Sequence, residues 1–314
     1  MIGPEYLRRQ VDPGLDKLRT MTEAAQRLLS HVFDYAGLFP PASLSMEDAV
    51  ADYLKYRSGE EAWIMDRFVC TATMLDEFQT ILRAQNGTPP VSISVVGSSG
   101  PEWEENLVHD AEAMTRFIER SGDAADIEAY EIRVPSGPKF TEKLQDLRAF
   151  NQVDVYCELG LDEDLAEHVG AIAETEWLRA KARTGGLEAS QFPSSEAVAL
   201  FLQNCLQTET PFKLTAGLHH PIRTYREEVT GKMHGFLNLL VASALSLEHG
   251  LSTRELVGII DEERSSAFRF EAARINYGPH EVGLDTIEEM RELFIGIGSC
   301  SVEEPIADLQ ALKL

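Results

Sequence analysis

Two short runs carry lysines where buried strands ordinarily carry aliphatic residues: AKARTGG, Ala180 to Gly186, and FKLTAGLHHP, Phe212 to Pro221. An isolated ammonium in a low-dielectric interior is costly, so each lysine has to be paired, neutralised or used. Side chains alternate across a strand, which puts Lys181, Arg183 and Gly185 on one face and Lys213, Thr215, Gly217 and His219 on another. Two earlier runs repeat the pattern with acids: Glu131 and Arg133 share a face in AYEIRVP, and Tyr156 and Glu158 do so in VDVYCELG.

A lysine set among cations and apolar walls has a lowered pKa, and its free amine can add to a carbonyl to give an iminium that draws electrons from a neighbouring bond. Two lysines on adjacent strands could divide that work, Lys181 or Lys213 reacting while the other stays charged. Glu131 or Glu158 would move protons, with His219 as a further acid or base at the strand exit. Arg183 is suited to a planar anion, and Thr184, Gly185 and Gly186 after it allow backbone to approach a ligand closely. Thr215, His220 and Asp34 complete the expected binding set, although DYAGLFPP, which contains Asp34, reads equally well as a strand ended by Gly37 and two prolines. HHPIRTYREE is long enough to act as a lid. The bland alternative makes Glu131, Glu158, Lys181 and Lys213 a buried ion-pair layer that fixes strand register.

A different chemistry uses His219, His220 and His234 with Glu131 and Glu158 as ligands of a divalent metal ion, since imidazole and carboxylate suit zinc, manganese or magnesium at an open site. Adjacent His219 and His220 cannot both face the same way on a regular strand. A histidine opening a helix, as His234 does, more often caps or packs.

These side chains need a scaffold of strands that all end on one side. Short β-rich runs alternate with helical patterns along the chain, the signature of βα units on a parallel sheet. HVFDYAGLFPP, RFVCTATM, VSISVVG, AYEIRVP, VDVYCELG, WLRAKARTGG and PFKLTAGL supply seven strands, and SSAFRF, Ser265 to Phe270, is expected as the eighth, with RINYGPHEV as a competing strand or hairpin. Helices are signalled by a cap at Ser45 and by apolar Leu107, Ala111, Met114 and Ile118. A stripe of Val198, Phe201, Leu202, Cys205 and Leu206 and a capping box from Ser252 to Glu255 signal two more. Eight such units make a (β/α)8 TIM barrel, one domain over residues 1–314, with a helical leader over 1–30 and a C-terminal helix in EPIADLQALK. The alternative, a doubly wound open sheet, would usually bring a dinucleotide fingerprint, and no G-x-G-x-x-G or G-x-x-x-x-G-K-[ST] occurs.

AKARTGG and FKLTAGL resemble the two lysine strands of deoxyribose-phosphate aldolase and related class I aldolases, barrels with a Schiff-base lysine on strand six and an activating lysine on strand seven. The resemblance implies that Lys181 is the nucleophile and Lys213 its partner. It implies a carbon–carbon lyase acting on a small oxo compound without a cofactor. Arg183 stands where that family has a Ser- or Thr-like residue, and the family's phosphate-binding glycines have no clear counterpart.

Composition sets outer bounds. The 314 residues are 44% hydrophobic and 25% charged, ordinary for a globular chain with a large core. Lysine plus arginine number 28 against 52 aspartates and glutamates, a formal charge of −24 that disfavours nucleic acid and anionic membranes. No apolar run approaches the roughly 18 residues of a membrane span, and no secretory signal is apparent, so a cytoplasmic protein is expected, with a homo-oligomer left open. Cys70, Cys157, Cys205 and Cys300 lack metal-binding or disulfide spacing and read as buried thiols. The expected partner is a small anionic metabolite. The alternatives are a divalent-metal isomerase or lyase on the same barrel, or a non-catalytic barrel that holds a small anion.

Overall fold

The computed structural model describes residues 21–60, 62–85 and 89–312. The leader expected over 1–30 therefore falls mostly outside the described residues, which begin just before helix α1, Glu23–Leu29. Strand β1 (Phe33–Tyr35) leads to α2 (Met46–Ser58), β2 (Met65–Thr71) to α3 (Leu75–Ala84), and β3 (Val91–Val96) to α4 (Trp103–Ser121). Next come β4 (Ala125–Arg133) with α5 (Phe140–Asp146), β5 (Asp154–Glu158) with α6 (Leu165–Ala173), and β6 (Leu178–Arg183) with α7 (Ser195–Gln207). After β7 (Phe212–Thr215) the chain forms the antiparallel pair β8 (Thr224–Arg226) and β9 (Gly231–Met233), then α8 (Phe236–His249) and α9 (Thr253–Ile260). A three-stranded antiparallel sheet follows, β10 (Phe268–Glu271), β11 (Arg274–Tyr277) and β12 (His280–Gly283). The chain then continues with α10 (Leu284–Leu293), β13 (Phe294–Ser299) and α11 (Glu303–Leu312).

Strands β1 to β7 and β13 close into a parallel barrel, with β13 hydrogen-bonded between β7 and β1. Closure removes every sheet edge and sends all eight C-terminal strand ends to one mouth. The eighth strand is thus FIGIGS and not SSAFRF, whose last three residues enter β10 outside the barrel. The reason is local. FIGIGS follows α10 without a polar break, and its glycines weaken any strand signal. RINYGPHEV, the competing candidate, is the β11–β12 hairpin.

Helix phases follow burial. On α7 the expected stripe Val198, Phe201, Leu202, Cys205 and Leu206 is buried, and Phe201 meets Phe212 edge-on at 5.6 Å. Burying side chains of this size contributes about 1.5–3 kcal/mol each. On α4 the expected stripe is off by part of a turn: Ile118 is 52% exposed, while Trp103, Leu107, Asp110, Ala113, Met114 and Phe117 face the core. Asp110 explains the discrepancy. This buried acid accepts bonds from Ser98 N and Oγ and from Tyr130 Oη, each at 2.7 Å, so the inward face includes a charge that apolar spacing misses.

Ser45 caps α2 and the Ser252–Glu255 box caps α9, as their spacing predicts. All four cysteines are free and buried. At the barrel's N-terminal end Arg291 donates to the carbonyls of Ser30 and Ile295, both at 3.1 Å, and burial pushes its guanidinium down to about 10. Among the described residues no helix is long and apolar enough to cross a membrane.

Candidate active site at the barrel mouth

The register of adjacent strands decides which side chains meet. Glu158 lies opposite Lys181, Lys181 opposite Lys213, and Lys213 opposite Gly296. One residue pair higher, Arg183 lies opposite Thr215, and Thr215 opposite Gly298. The inward positions of β13 are therefore glycines, where neighbouring strands carry long polar side chains. A Cβ on Gly296 would crowd the Val32 carbonyl at 3.3 Å, and one on Gly298 would press on Thr215 at 3.0 Å.

Those charges form one connected layer. Lys181 Nζ is 2.8 Å from Glu131 Oε2 and 3.0 Å from Glu158 Oε2. Lys213 Nζ is 2.6 Å from Glu131 Oε1 and also binds Asp34 Oδ2. Glu131 thus bridges the two lysines, one oxygen to each, and takes a further bond at 2.6 Å from Ser94 Oγ. Burial alone would raise the Glu131 carboxyl, but the facing charges of Lys181 and Lys213 outweigh it and hold the acid far below its usual range. For Lys213, burial would lower the ammonium, yet Asp34 and Glu131 outweigh it, and the group is held above 10.5. Lys213 also sits over the Tyr156 ring at 5.3 Å, a further cation–π contact.

A second polar layer lies beneath. Arg67 N donates to Asp34 Oδ1 at 3.1 Å, and Arg67 Nε donates to Glu128 Oε2 at 3.1 Å. Among the described residues the buried Tyr156 hydroxyl has no hydrogen-bond partner, and buried Arg67 Nη1 has none beyond its ion pairs, the closer with Asp66 Oδ2 at 3.4 Å.

Above the layer opens a cavity of about 550 Å³. Lys181, Lys213, Glu131 and Glu158 form its floor, and Arg133, Arg183, Thr215, Gly186, His219 and Cys300 stand around its walls. Glu158 is the more open of the two floor acids, its side chain 13% exposed against 2% for Glu131. Arg133 and Arg183 are exposed, and among the described residues neither makes an ion pair or side-chain hydrogen bond. Thr215 Oγ1 is buried at the wall without a partner, free to bond a guest.

His219 arrives by a loop, not along a strand, because Ala216 at φ 66 and Gly217 at φ 75 end the extended run after Thr215. Its Nδ1 is 3.9 Å from Cys300 Sγ and 3.7 Å from Glu304 Oε2. Burial lowers the imidazole below its ordinary value and raises the Cys300 thiol, so both are neutral near pH 7.

The other expected residues have structural partners. Asp34 lies behind the floor as the second carboxylate on Lys213, while the loop after it lines the cavity with Ala36, Phe39, Pro40 and Pro41. Thr184 is fully buried and donates to the carbonyl of Ala216 at 2.8 Å. Gly185 packs against Gly217, where a Cβ would fall 2.9 Å from the Gly217 Cα. His220 points to α11, its Nδ1 2.7 Å from Asp308 Oδ2. His234 Nδ1 accepts from Arg223 at 2.9 Å while its Nε2 donates to the Pro193 carbonyl at 2.9 Å, and burial with the nearby Arg223 charge pushes it down to about 4.

The five residues that sequence offers as metal ligands do not converge, and among the described residues no group of three or more His, Cys, Asp or Glu is placed to hold a metal ion. HHPIRTYREE, read as a lid, contributes β8 to the β8–β9 hairpin beyond the mouth. Arg133 and Cys300 had no role assigned from sequence. The shared face of Glu131 and Arg133 pointed to the first; nothing in the local pattern distinguished Cys300 from the other three thiols.

No protein-family model matches the chain, and comparison with curated proteins returns no match.

Proposed function

We propose that the barrel is a lyase of the Schiff-base kind, which takes a small anionic oxo compound into the mouth and forms an imine with Lys181. The observation that carries this reading is the position of Lys181 Nζ on the cavity floor, 2.8 and 3.0 Å from two carboxylates and beneath two arginines that form no ion pair among the described residues. Purely structural ion pairs have no need of a 550 Å³ opening above them.

The floor sets the division of labour. Lys213 is 1% exposed and clasped by two carboxylates, which keep it protonated and unable to add to a carbonyl. Lys181 is the amine with access. A proton passes from its ammonium to Glu158, and the nitrogen lone pair then adds to the substrate carbonyl carbon while the oxygen takes up the proton that the nitrogen sheds. Loss of water from the carbinolamine, with a proton supplied by Glu158, gives the iminium. As Glu158 takes the proton of the hydroxyl on the departing fragment, that fragment leaves as a carbonyl compound and the iminium nitrogen accepts the electron pair of the breaking carbon–carbon bond; the resulting enamine takes the proton back on carbon, and water hydrolyses the iminium and returns the amine. Three carboxylates face two lysines, so one acid is left to act as a base without stranding a cation. Arg183 binds the anionic group, and Thr215 Oγ1 offers it a hydrogen bond.

This arrangement differs in one respect from the class I aldolases that the two lysine strands resemble. There the second lysine is expected to depress the first. Here Glu131 stands between them, and activation falls to Glu158.

Borohydride reduction in the presence of aldehydes and 2-oxo acids, read by intact mass, tests the proposal. A covalent adduct is expected on the native protein and on Lys213→Met wherever that variant folds, and no adduct on Lys181→Met. Absence of any adduct on native protein across the panel would contradict it.

A further inference from the structure

We infer that the substrate carries two separate anionic groups, an oxo dicarboxylate in chemical class, with Arg133 as the second anchor. This inference rests on the imine reading for the oxo group alone; the two anion sites stand on their own geometry.

Arg133 and Arg183 end β4 and β6, the strands on either side of β5, and Arg133 is level with Lys181, two residues before Arg183, so their backbones are roughly 12 Å apart at the ordinary strand spacing and rise. Both line the cavity above the floor. The natural acid for Arg133 is Glu158, directly opposite it in register, yet Glu158 turns its carboxylate to Lys181. Arg183 lies opposite Thr215, which carries no charge. The floor itself has one carboxylate more than it has lysines, and the two guanidiniums above it turn the balance of the site to one net positive charge.

In a chain with a formal charge of −24 and 52 acids, two arginines that line one cavity and form no ion pair among the described residues are a specific arrangement, since the acid between them, Glu158, is taken by Lys181. A single monoanion satisfies one of them. Two carboxylates joined by a few carbons reach both, each accepting a forked pair of N–H bonds, and hold the chain between them over Lys181.

Calorimetric titration with unreactive acids separates this inference from the imine chemistry, because neither succinate nor glutarate has a carbonyl to trap. Native protein is expected to bind at least one of succinate, glutarate and adipate ten or more times tighter than butyrate. Arg133→Gln should weaken that diacid at least tenfold and leave butyrate within twofold; Arg183→Gln should weaken both. Arg133 is exposed, and an unchanged melting temperature would confirm that the variant folds. Equal affinity for mono- and diacids, or equal loss of both in Arg133→Gln, would overturn the inference. So would methyl phosphate binding as tightly as the best diacid, since one doubly charged group would then serve both arginines. Diacid selectivity without any borohydride adduct would defeat the imine reading and leave this inference standing.

Discussion

Glu131 is the residue on which the floor depends. It neutralises two buried ammonium groups at once, and removing one partner of a buried ion pair typically costs about 3–5 kcal/mol. Glu131→Gln is expected to lose stability on that scale in urea denaturation, while Glu158→Gln, whose partly exposed carboxylate has a single partner, loses less but abolishes adduct formation. The pH dependence follows from the two shifts. Glu131 is lowered in the folded state, so its contribution is complete above an unfolded value near 4.5 and fades as pH falls below that. Lys213 is raised, so its contribution is complete below about 10.5 and is lost as pH climbs through the folded value. Melting temperatures should therefore fall on both flanks, and Lys213→Met should flatten the alkaline flank in particular.

At the scale of elements, the exits of β6 and β7 hold one another in place. Gly185 and Gly217 approach backbone to backbone beside the Phe192 ring, and Thr184 bonds the Ala216 carbonyl. Gly185→Ala would put a methyl group 2.9 Å from the Gly217 Cα. Overpacking of this kind costs about 1–3 kcal/mol, and the displaced Arg183 loop should cut adduct formation more than stability predicts. Gly258→Ala on α9 meets nothing within 4 Å, and the same change there should stabilise by about 0.5–1 kcal/mol.

Several of these elements were legible in the sequence because local chemistry and tertiary role agree: the α9 capping box, the α7 stripe, and the lysine strands whose alternation predicts a shared face. Others were hidden where the two conflict. The eighth strand uses glycine inside the barrel, against strand propensity, where a Cβ would crowd the Val32 carbonyl or Thr215 on the adjacent strands. The phase of α4 follows Asp110, a buried acid whose purpose is visible only beside Ser98 and Tyr130. Asp34 and Lys213 are 179 residues apart, so parity could place each inward but could not reveal that they touch. His219 shares the parity of Lys213, although the left-handed turn at Ala216 and Gly217 breaks the strand on which that parity argument relied.

For the whole molecule, a strongly negative surface surrounds a locally positive mouth. The formal charge of −24 slows the approach of an anion from a distance, and salt screens that repulsion over a Debye length of about 10 Å at 0.1 M. Stopped-flow association of a diacid should therefore speed up as salt rises from 10 to 100 mM, while Arg133→Gln raises the dissociation rate at every salt concentration. Slower association over that range would show that the field of the mouth, not the net charge, governs encounter.

If Lys181 and not Lys213 is the reacting amine, peptide mapping of the borohydride-reduced protein after exposure to 2-oxoglutarate and to an aldehyde panel will find added mass on the peptide containing Lys181 and none on the peptide containing Lys213. Added mass on Lys213, or an adduct that persists undiminished in Lys181→Met, would contradict it.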